Sequence, residues 1–232
     1  MEAPNIENVW SNPTGWSKGS TQLKVHALDD NSGIIGYEFT KTSHALTDMS
    51  GHYTEISPSL DTERSVTADN GTWYVYVIDR AGNVSYERFV VSTIDNTAPT
   101  INVSVKDERD SETDIRIVAE DTESKIARIV VNGEELPTGG VPGSDTQKEA
   151  TYTASTESVI DIIAYDTVGN ETKVTVHTYV IAYDANGGTG SVKGQVKLEN
   201  APITLRDNNE FKRTGYNFSA WNTKADGTGT SY

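Results

Sequence analysis

Side chains with oxygen ligands cluster at two places early in the chain, where they could bind a hard cation. The first cluster comprises Asp29, Asp30, Asn31 and Ser32, followed by Gly33, and the second comprises Asp79 and Asn83, with Gly82 between them. Calcium takes six to eight converging oxygen ligands, and the spacing of an EF-hand loop is absent. An aspartate can instead accept backbone N–H groups two residues further on and close an Asx turn, with glycine at the positive-φ position. We predict the structural turn role and keep calcium as the alternative.

Both clusters occur a second time, about ninety residues later, which indicates tandem small domains rather than a solenoid of shorter period. In this second copy Lys125 stands where the first copy has Gly33, and Val168 stands where it has Ala81. The aspartates are retained, which favours turn chemistry over a shared ligand site. The candidate residues of the second copy are Asp121, Glu123, Ser124, Asp166, Gly169 and Asn170.

The sequence predicts no catalytic site. Nucleophilic catalysis needs a nucleophile, a base and an orienting group, and the chain has no cysteine and neither a G-x-S-x-G nor an H-E-x-x-H motif. The histidines fall in unrelated sequence contexts, and His26 is expected on the wet face of a strand. We therefore predict a protein that is not an enzyme and has no cofactor and no metal site. The four histidines are His26, His44, His52 and His177.

The charge of the chain argues against two classes of partner. A net charge of −15 and a pI near 4.6 repel the phosphates of nucleic acids and anionic membranes. No segment has the ~18 apolar residues expected of a membrane span. We predict a monomer that binds no nucleic acid and does not insert into membranes. The chain starts and stops inside its own pattern, so we expect a piece of a longer protein.

Alternating apolar and polar residues predict an all-β chain of short strands. Leu23, Val25 and Ala27 point to one side of the first clear strand, and similar runs recur every 8–12 residues or so, as in an antiparallel sandwich. Asn-Gly pairs at residues 70–71 and 132–133 predict hairpin turns. The tryptophans Trp10 and Trp16 are predicted to cover the open end of a sandwich core.

Three motifs of the first unit resemble those of bacterial immunoglobulin-like repeats. They are S-G-I-x-x-Y-E from Ser32, D-x-A-G-N-x-S from Asp79, and D-x-T-A-P from Asp95. The second unit is similar but departs at Lys125 and Val168 and has no D-x-T-A-P at its end. The resemblance implies two Ig-like antiparallel sandwiches, over residues 1–98 and 99–179, of the kind found in Gram-positive surface and secreted proteins.

Residues 180–232 resemble the Listeria–Bacteroides repeat, the B-repeat type of the internalins. The resemblance implies a small β-grasp-like module of surface proteins, here incomplete because the usual final strand with L-Y-A-x-W is missing. The motif residues that carry it include Asn186, Gly187, Gly188, Gly215, Tyr216, Trp221, Asp226 and Gly227.

Two functional hypotheses follow. The first is a non-catalytic stalk or adhesion segment of a secreted or cell-wall-attached protein of a Gram-positive bacterium, which acts as a spacer and contacts a host or bacterial surface protein or glycan. The second is a carbohydrate-binding accessory region of a secreted glycosidase or peptidase, for which Trp10, Trp16 and Tyr86 are the candidate stacking residues. An intramolecular Lys–Asn isopeptide bond, if present, is expected at Lys106.

Overall fold

The computed structural model describes residues 2–47, 49 and 51–232, and within these residues the chain is all-β with no helix. The predicted all-β fold with antiparallel sandwiches is confirmed. None of the described residues forms a helix that could cross a membrane. The strands of the first half are β1 Asn5–Asn12, β2 Thr21–Leu28, β3 Ile34–Thr40, β4 Thr54–Ser59, β5 Asp61–Ala68, β6 Gly71–Asp79 and β7 Val84–Val91.

The strands of the second half follow the same plan of antiparallel pairing. They are β8 Thr100–Arg109, β9 Glu112–Glu120, β10 Ile126–Val131, β11 Glu134–Glu135, β12 Gly139–Gly140, β13 Gln147–Ala154, β14 Ser158–Asp166, β15 Glu171–Ile181 and β16 Gln195–Leu198.

The chain forms two compact units. Unit 1 comprises residues 1–98 together with 122–124 and 166–170, and unit 2 comprises residues 99–121, 125–165 and 171–232. Residues 180–232 are thus part of unit 2 by their contacts. The separate third domain predicted for them stays a prediction.

Unit 1 is a sandwich of two sheets, with strand orders β1-β2-β5 and β4-β3-β6-β7. Apolar side chains from both sheets meet between them: Leu23 and Val25 of β2 and Val75 and Val77 of β6 are at most 1% exposed. Burial of such side chains contributes about 1.5–3 kcal/mol each. The alternation read from the sequence therefore corresponds to one buried face per strand.

Unit 2 is a second sandwich, with strand orders β12-β13-β9-β8 and β11-β10-β14-β15-β16. Its core joins isoleucines of β9, β10 and β14 with Val196 and Leu198 of β16. The edge strand β16 pairs antiparallel with the end of β15, so that Val180 lies opposite Val196. A strand from the predicted repeat region thus completes the second sandwich.

Apart from β16, residues 182–232 form turns and isolated bridges. Bridges join Thr189 to Lys212 and Asn222 to Ser231. The rings that surround Trp221 are those of Tyr183, Phe211 and Phe218, whose centroids lie 4.6, 5.7 and 5.1 Å from the Trp221 ring.

The two Asn-Gly pairs behave differently. Asn132 and Gly133 both have positive φ, at 52° and 85°, and join β10 to β11 as the predicted hairpin. The hairpin predicted at Asn70-Gly71 is wrong, because β5 and β6 belong to different sheets. The side-chain amide of Asn70 instead makes two hydrogen bonds to the backbone of Ile94. Asn70 Nδ2 donates to the Ile94 carbonyl at 2.6 Å, and Asn70 Oδ1 accepts the Ile94 N–H at 3.1 Å.

The prediction that Trp10 and Trp16 cover the core is also wrong. Trp10 lies opposite Lys24 in the β1–β2 register, on the outer face of its sheet, and Lys24 Nζ sits 5.8 Å from its ring centroid. Trp16 follows the end of β1 and is 38% exposed. On the outer face of an edge strand, Trp10 packs against the lysine and is not part of the core.

Candidate functional site

The turn after β2 is built on the carboxylate of Asp29. Its Oδ1 accepts backbone N–H groups from Asn31, Ser32 and Gly33 at 2.9, 2.8 and 3.0 Å. Gly33 takes a φ of 80°, which glycine adopts at low cost. Asp29 itself is buried, so one carboxylate oxygen organises the corner at which the chain leaves one sheet for the other.

The turn after β6 is built on Asp79 in the same way. Its Oδ1 accepts the backbone N–H of Asn83 at 2.7 Å, and its Oδ2 accepts the Asn83 side-chain Nδ2 at 2.7 Å. Gly82 has a φ of 86° inside the turn. The Asp79 side chain is fully buried, and its two oxygens both bind Asn83, the residue that ends the turn.

The second copy keeps this chemistry. Asp166 Oδ1 accepts the N–H groups of Val168 and Asn170 at 2.9 and 2.8 Å, and its Oδ2 accepts Asn170 Nδ2 at 2.7 Å. Gly169 has a φ of 88°, and Lys125, in the position of Gly33, has a φ of 74°. Lys125 N–H donates to Asp121 Oδ1 at 3.0 Å. The turn at Lys125 therefore keeps its shape without glycine. A residue with a side chain adopts this left-handed backbone conformation only at an energetic cost.

A further buried aspartate, which the sequence pattern assigns only to a boundary motif, joins these turns within unit 1. Asp95 Oδ2 accepts the backbone N–H of Ser124 at 3.1 Å, and its Oδ1 accepts that of Thr97 at 2.8 Å. The backbone carbonyl of Asp95 accepts Asn170 Nδ2 at 3.2 Å. Calcium needs several oxygens free to converge, and these carboxylates already accept N–H donors. Calcium binding stays an untested alternative, which a calcium titration followed by thermal melting would decide.

Hydrogen bonding lowers the pKa of two of these carboxyls. For Asp79, burial pushes the pKa up, and the hydrogen bonds from the Asn83 side chain and backbone outweigh it. For Asp95, burial is likewise outweighed by hydrogen bonds, among them those from the backbone N–H groups of Ser124 and Thr97. The pKa values of both carboxyls are lower in the folded state than the ordinary value near 3.9.

The stability of unit 1 is therefore expected to fall in acid. A lowered folded-state pKa contributes stability that is present above the unfolded-state pKa and is lost as pH falls through the folded-state pKa. We expect the melting temperature, followed by tryptophan fluorescence, to hold above about pH 5 and to fall below about pH 4. The deficit of Asp79→Asn relative to the wild type should narrow over the same interval. A deficit that does not change with pH would contradict this role of the Asp79 charge.

The predicted repeat-motif residues act in turns of residues 184–232. Asn186 has a φ of 48°, and its Nδ2 donates to the Ala225 carbonyl at 2.7 Å. A Cβ at Gly188 would lie 2.8 Å from the Lys212 carbonyl, so this close approach requires glycine. Asp226 Oδ1 accepts the Thr228 N–H at 2.9 Å. Positive φ at 79°, 81° and 76° is found at Gly187, Gly215 and Gly227.

The aromatic motif residues have separate environments. The Tyr216 ring packs under the Arg213 guanidinium at 4.3 Å and is otherwise exposed. Trp221 donates its Nε1–H to the Arg206 carbonyl at 2.8 Å. An open groove with a volume of about 1070 Å³ surrounds these side chains, with Tyr183, Phe211 and Phe218 in its wall.

Two of the four histidines lie close together, contrary to the sequence prediction. His26 lies on the solvent-facing side of β2, as predicted, and its Nε2 lies 2.9 Å from Asp61 Oδ1. The His177 ring stacks on the ring of Tyr179. His44 and His52, however, do not have unrelated environments, because their ring centroids lie 4.4 Å apart. The Nζ of Lys106 donates to Thr151 Oγ1 at 2.9 Å, and the isopeptide bond considered at Lys106 stays a prediction.

Comparison with known families identifies one part of the chain. Residues 179–232 match the model of the Listeria-Bacteroides repeat domain (List_Bact_rpt), which confirms that part of the resemblance and fits a bacterial surface module. The Ig-like assignment of the first two units is not confirmed by a family match and stays a prediction. The comparison with curated proteins finds no significant match.

Among solved structures, the chain is similar to the Bacteroides ovatus mixed-linkage glucan utilization locus (MLGUL) SGBP-B in complex with mixed-linkage heptasaccharide. The two share 10% identity with a TM-score of 0.23, over 85% of this chain. The chain spans 61% of the length of that protein. A likeness this distant says nothing about the ligand of the present chain.

Proposed function

We propose that this chain is a non-catalytic, load-bearing spacer of a secreted or cell-wall-attached protein of a Gram-positive bacterium, monomeric and with a protein-contact role. The repeat domain at residues 179–232 supports a surface location. Asp29, Asp79 and Asp166 support a structural role, because Oδ1 of each accepts backbone N–H groups within its own turn. A spacer must keep its folded length while the chain is pulled at both ends.

The observation that carries the proposal is the way unit 1 holds its last residues. Ser17 donates its N–H to the Thr93 carbonyl at 2.8 Å and accepts the Asp95 N–H at 2.9 Å, so that residues 17 and 94 form a parallel bridge. Gly19 N–H donates to Asn96 Oδ1 at 2.8 Å. The segment by which the chain leaves unit 1 is thus a bonded part of the sandwich rather than a free linker.

The bonds of this exit segment determine which part of unit 1 bears an applied force first. A pull applied beyond Ala98 reaches the bonds at Thr93, Asp95 and Asn96 before it reaches the core strands. Ile94, between them, is 3% exposed, so detachment of the segment would also expose apolar surface. The exit segment and the sandwich should therefore yield together.

Single-molecule pulling of the full chain by its ends tests the proposal. We expect unit 1 to release its length in one step of about 300 Å, since an extended residue spans about 3.3–3.6 Å. Ser17→Pro removes the N–H donor to Thr93 and should lower the unfolding force. Ser17→Ala keeps that donor and is the matched control. Release of residues 93–98 before the rest of unit 1 unfolds in the wild type would contradict the proposed mechanical role.

The groove around Trp221 favours a second candidate, a carbohydrate-binding accessory region. Exposed rings of Tyr216, Phe218 and Tyr232 accompany it, at 67%, 49% and 70% exposure, and such rings can stack on sugars. The sequence candidates do not form one row, since Trp10 lies on β1 and Tyr86 on β7 of the other sheet. A glycan array separates the candidates: binding that is lost in Phe218→Ala supports this one, and a blank array supports the spacer.

A further inference from the structure

A small apolar cluster lies outside the sandwich of unit 1, on the outer face of the β4-β3-β6-β7 sheet. Met49 from the connection between β3 and β4 is 3% exposed and packs with Tyr76 and Ile78 of β6. The Tyr76 hydroxyl accepts the His44 N–H at 2.7 Å and donates to the His44 carbonyl at 3.1 Å. The connection is therefore held against the sheet at Met49 and at His44.

At the edge of this cluster three side chains with metal-ligand atoms converge. Glu38 of β3, His44 and His52 each place one such atom within 4.8 Å of the others. His44 Nε2 lies 3.2 Å from Glu38 Oε1. The Glu38 and His44 side chains are 13% and 18% exposed, whereas His52 is exposed and opens the cluster to solvent.

The second oxygen of Glu38 makes the cluster unusual. Glu38 Oε2 is buried and has no hydrogen-bond partner. A buried carboxylate oxygen without a partner is costly, and a cation bound by the Glu38 carboxylate and the imidazoles would offset that cost. We propose that Glu38, His44 and His52 bind a divalent transition-metal ion of the zinc class.

The donor set selects the class of ion. Two imidazole nitrogens and one carboxylate oxygen suit zinc, cobalt, nickel or copper, whereas calcium and magnesium prefer oxygen ligands alone. At zinc–ligand distances of about 2.0–2.2 Å, tetrahedral geometry places ligand atoms about 3.3 Å apart. Glu38 Oε1 and His44 Nε2, 3.2 Å apart, already have this spacing, and a ring nitrogen of His52, within 4.8 Å of the other ligand atoms, would have to move inward to close the third position. The fourth position faces solvent and would take water.

The ion would clip the connection to the sheet. Glu38 is on β3, and both histidines lie between the end of β3 at Thr40 and the start of β4 at Thr54. A metal clip that closes a loop adds stability by removing loop-closure freedom. The site would therefore stabilise unit 1 and is independent of the spacer proposal.

Calorimetric titration of tag-free, EDTA-stripped full chain with zinc chloride tests the site. We expect one zinc per chain and a higher melting temperature of unit 1. His52→Ala should weaken binding by more than about tenfold, since even the loss of an outer-shell partner costs about 10–100-fold. His26→Ala, with its exposed ring on the other sheet, is the matched control and should bind as the wild type does.

Imidazole NMR spectra of the wild type give a second measurement that needs no variant. Zinc should shift the resonances of His44 and His52 and leave those of His26 and His177 in place. The proposal is overturned if zinc does not bind saturably, if His52→Ala binds as tightly as the wild type, or if all four imidazoles respond alike.

Discussion

Asp79→Ala is expected to lower the free energy of unfolding of unit 1 by about 3–5 kcal/mol. The variant loses both hydrogen bonds from Asn83 to a fully buried carboxylate, and bonds to a charged group contribute about 1.5–3 kcal/mol each. The Asn83 donors would be left without their acceptor inside the turn. Urea unfolding followed by tryptophan fluorescence measures the loss, because Trp10, Trp16 and Trp73 lie in unit 1 and Trp221 alone in unit 2.

The control for this prediction is Asp30→Ala. Asp30 lies in the neighbouring turn, carries the same charge and is exposed, and a surface substitution of this kind usually changes stability by less than about 0.5 kcal/mol. If the two variants lose the same stability, net charge rather than the turn accounts for the effect of Asp79.

Asn70→Ala is expected to lower the stability of unit 1 by about 2–3 kcal/mol. The Asn70 amide supplies both partners of the Ile94 backbone, and a backbone group left without a partner costs about 1–3 kcal/mol. The expected loss of stability lies near the lower end of the summed cost of the two backbone groups. The reason is that Asn70 is exposed, so water can take over part of the lost hydrogen bonding. The midpoint of urea unfolding should fall while the slope stays constant.

Asn31→Ala serves as the matched control, since Asn31 is exposed and contributes its backbone N–H to the Asp29 turn, which alanine retains. We expect it to unfold as the wild type does. An Asn70→Ala variant with wild-type stability would mean that the residues around Ile94 are held by Ser17 and the core alone.

The fold was predictable where the signal is local. Alternation of Leu23, Val25 and Ala27 predicted a strand with one buried face, and these side chains are buried. An aspartate followed by Ser-Gly or by Gly-Asn indicated a tight turn, since the hydrogen-bond partners lie within four residues. In such short-range patterns, the residues that bond to one another all lie within the motif itself.

The long-range pairings were not predictable. Asn70-Gly71 has the composition of a hairpin, but its partner Ile94 lies on another element. Glu38 and His44 meet because the polar connection after β3 folds over the sheet, and nothing periodic in residues 41–53 indicates that path. Val196 and Leu198 alternate over too few residues to indicate which sheet they join.

The pairing of β15 with β16 bears on how such genes can be shuffled. The family boundary at residue 179 falls inside β15, which runs from Glu171 to Ile181. An exchange at that boundary would separate Val180 from its strand and remove Val196 and Leu198 from a core that needs them. We therefore expect that the repeat cannot be exchanged alone in this protein, and that an exchange would have to include the whole of the second sandwich.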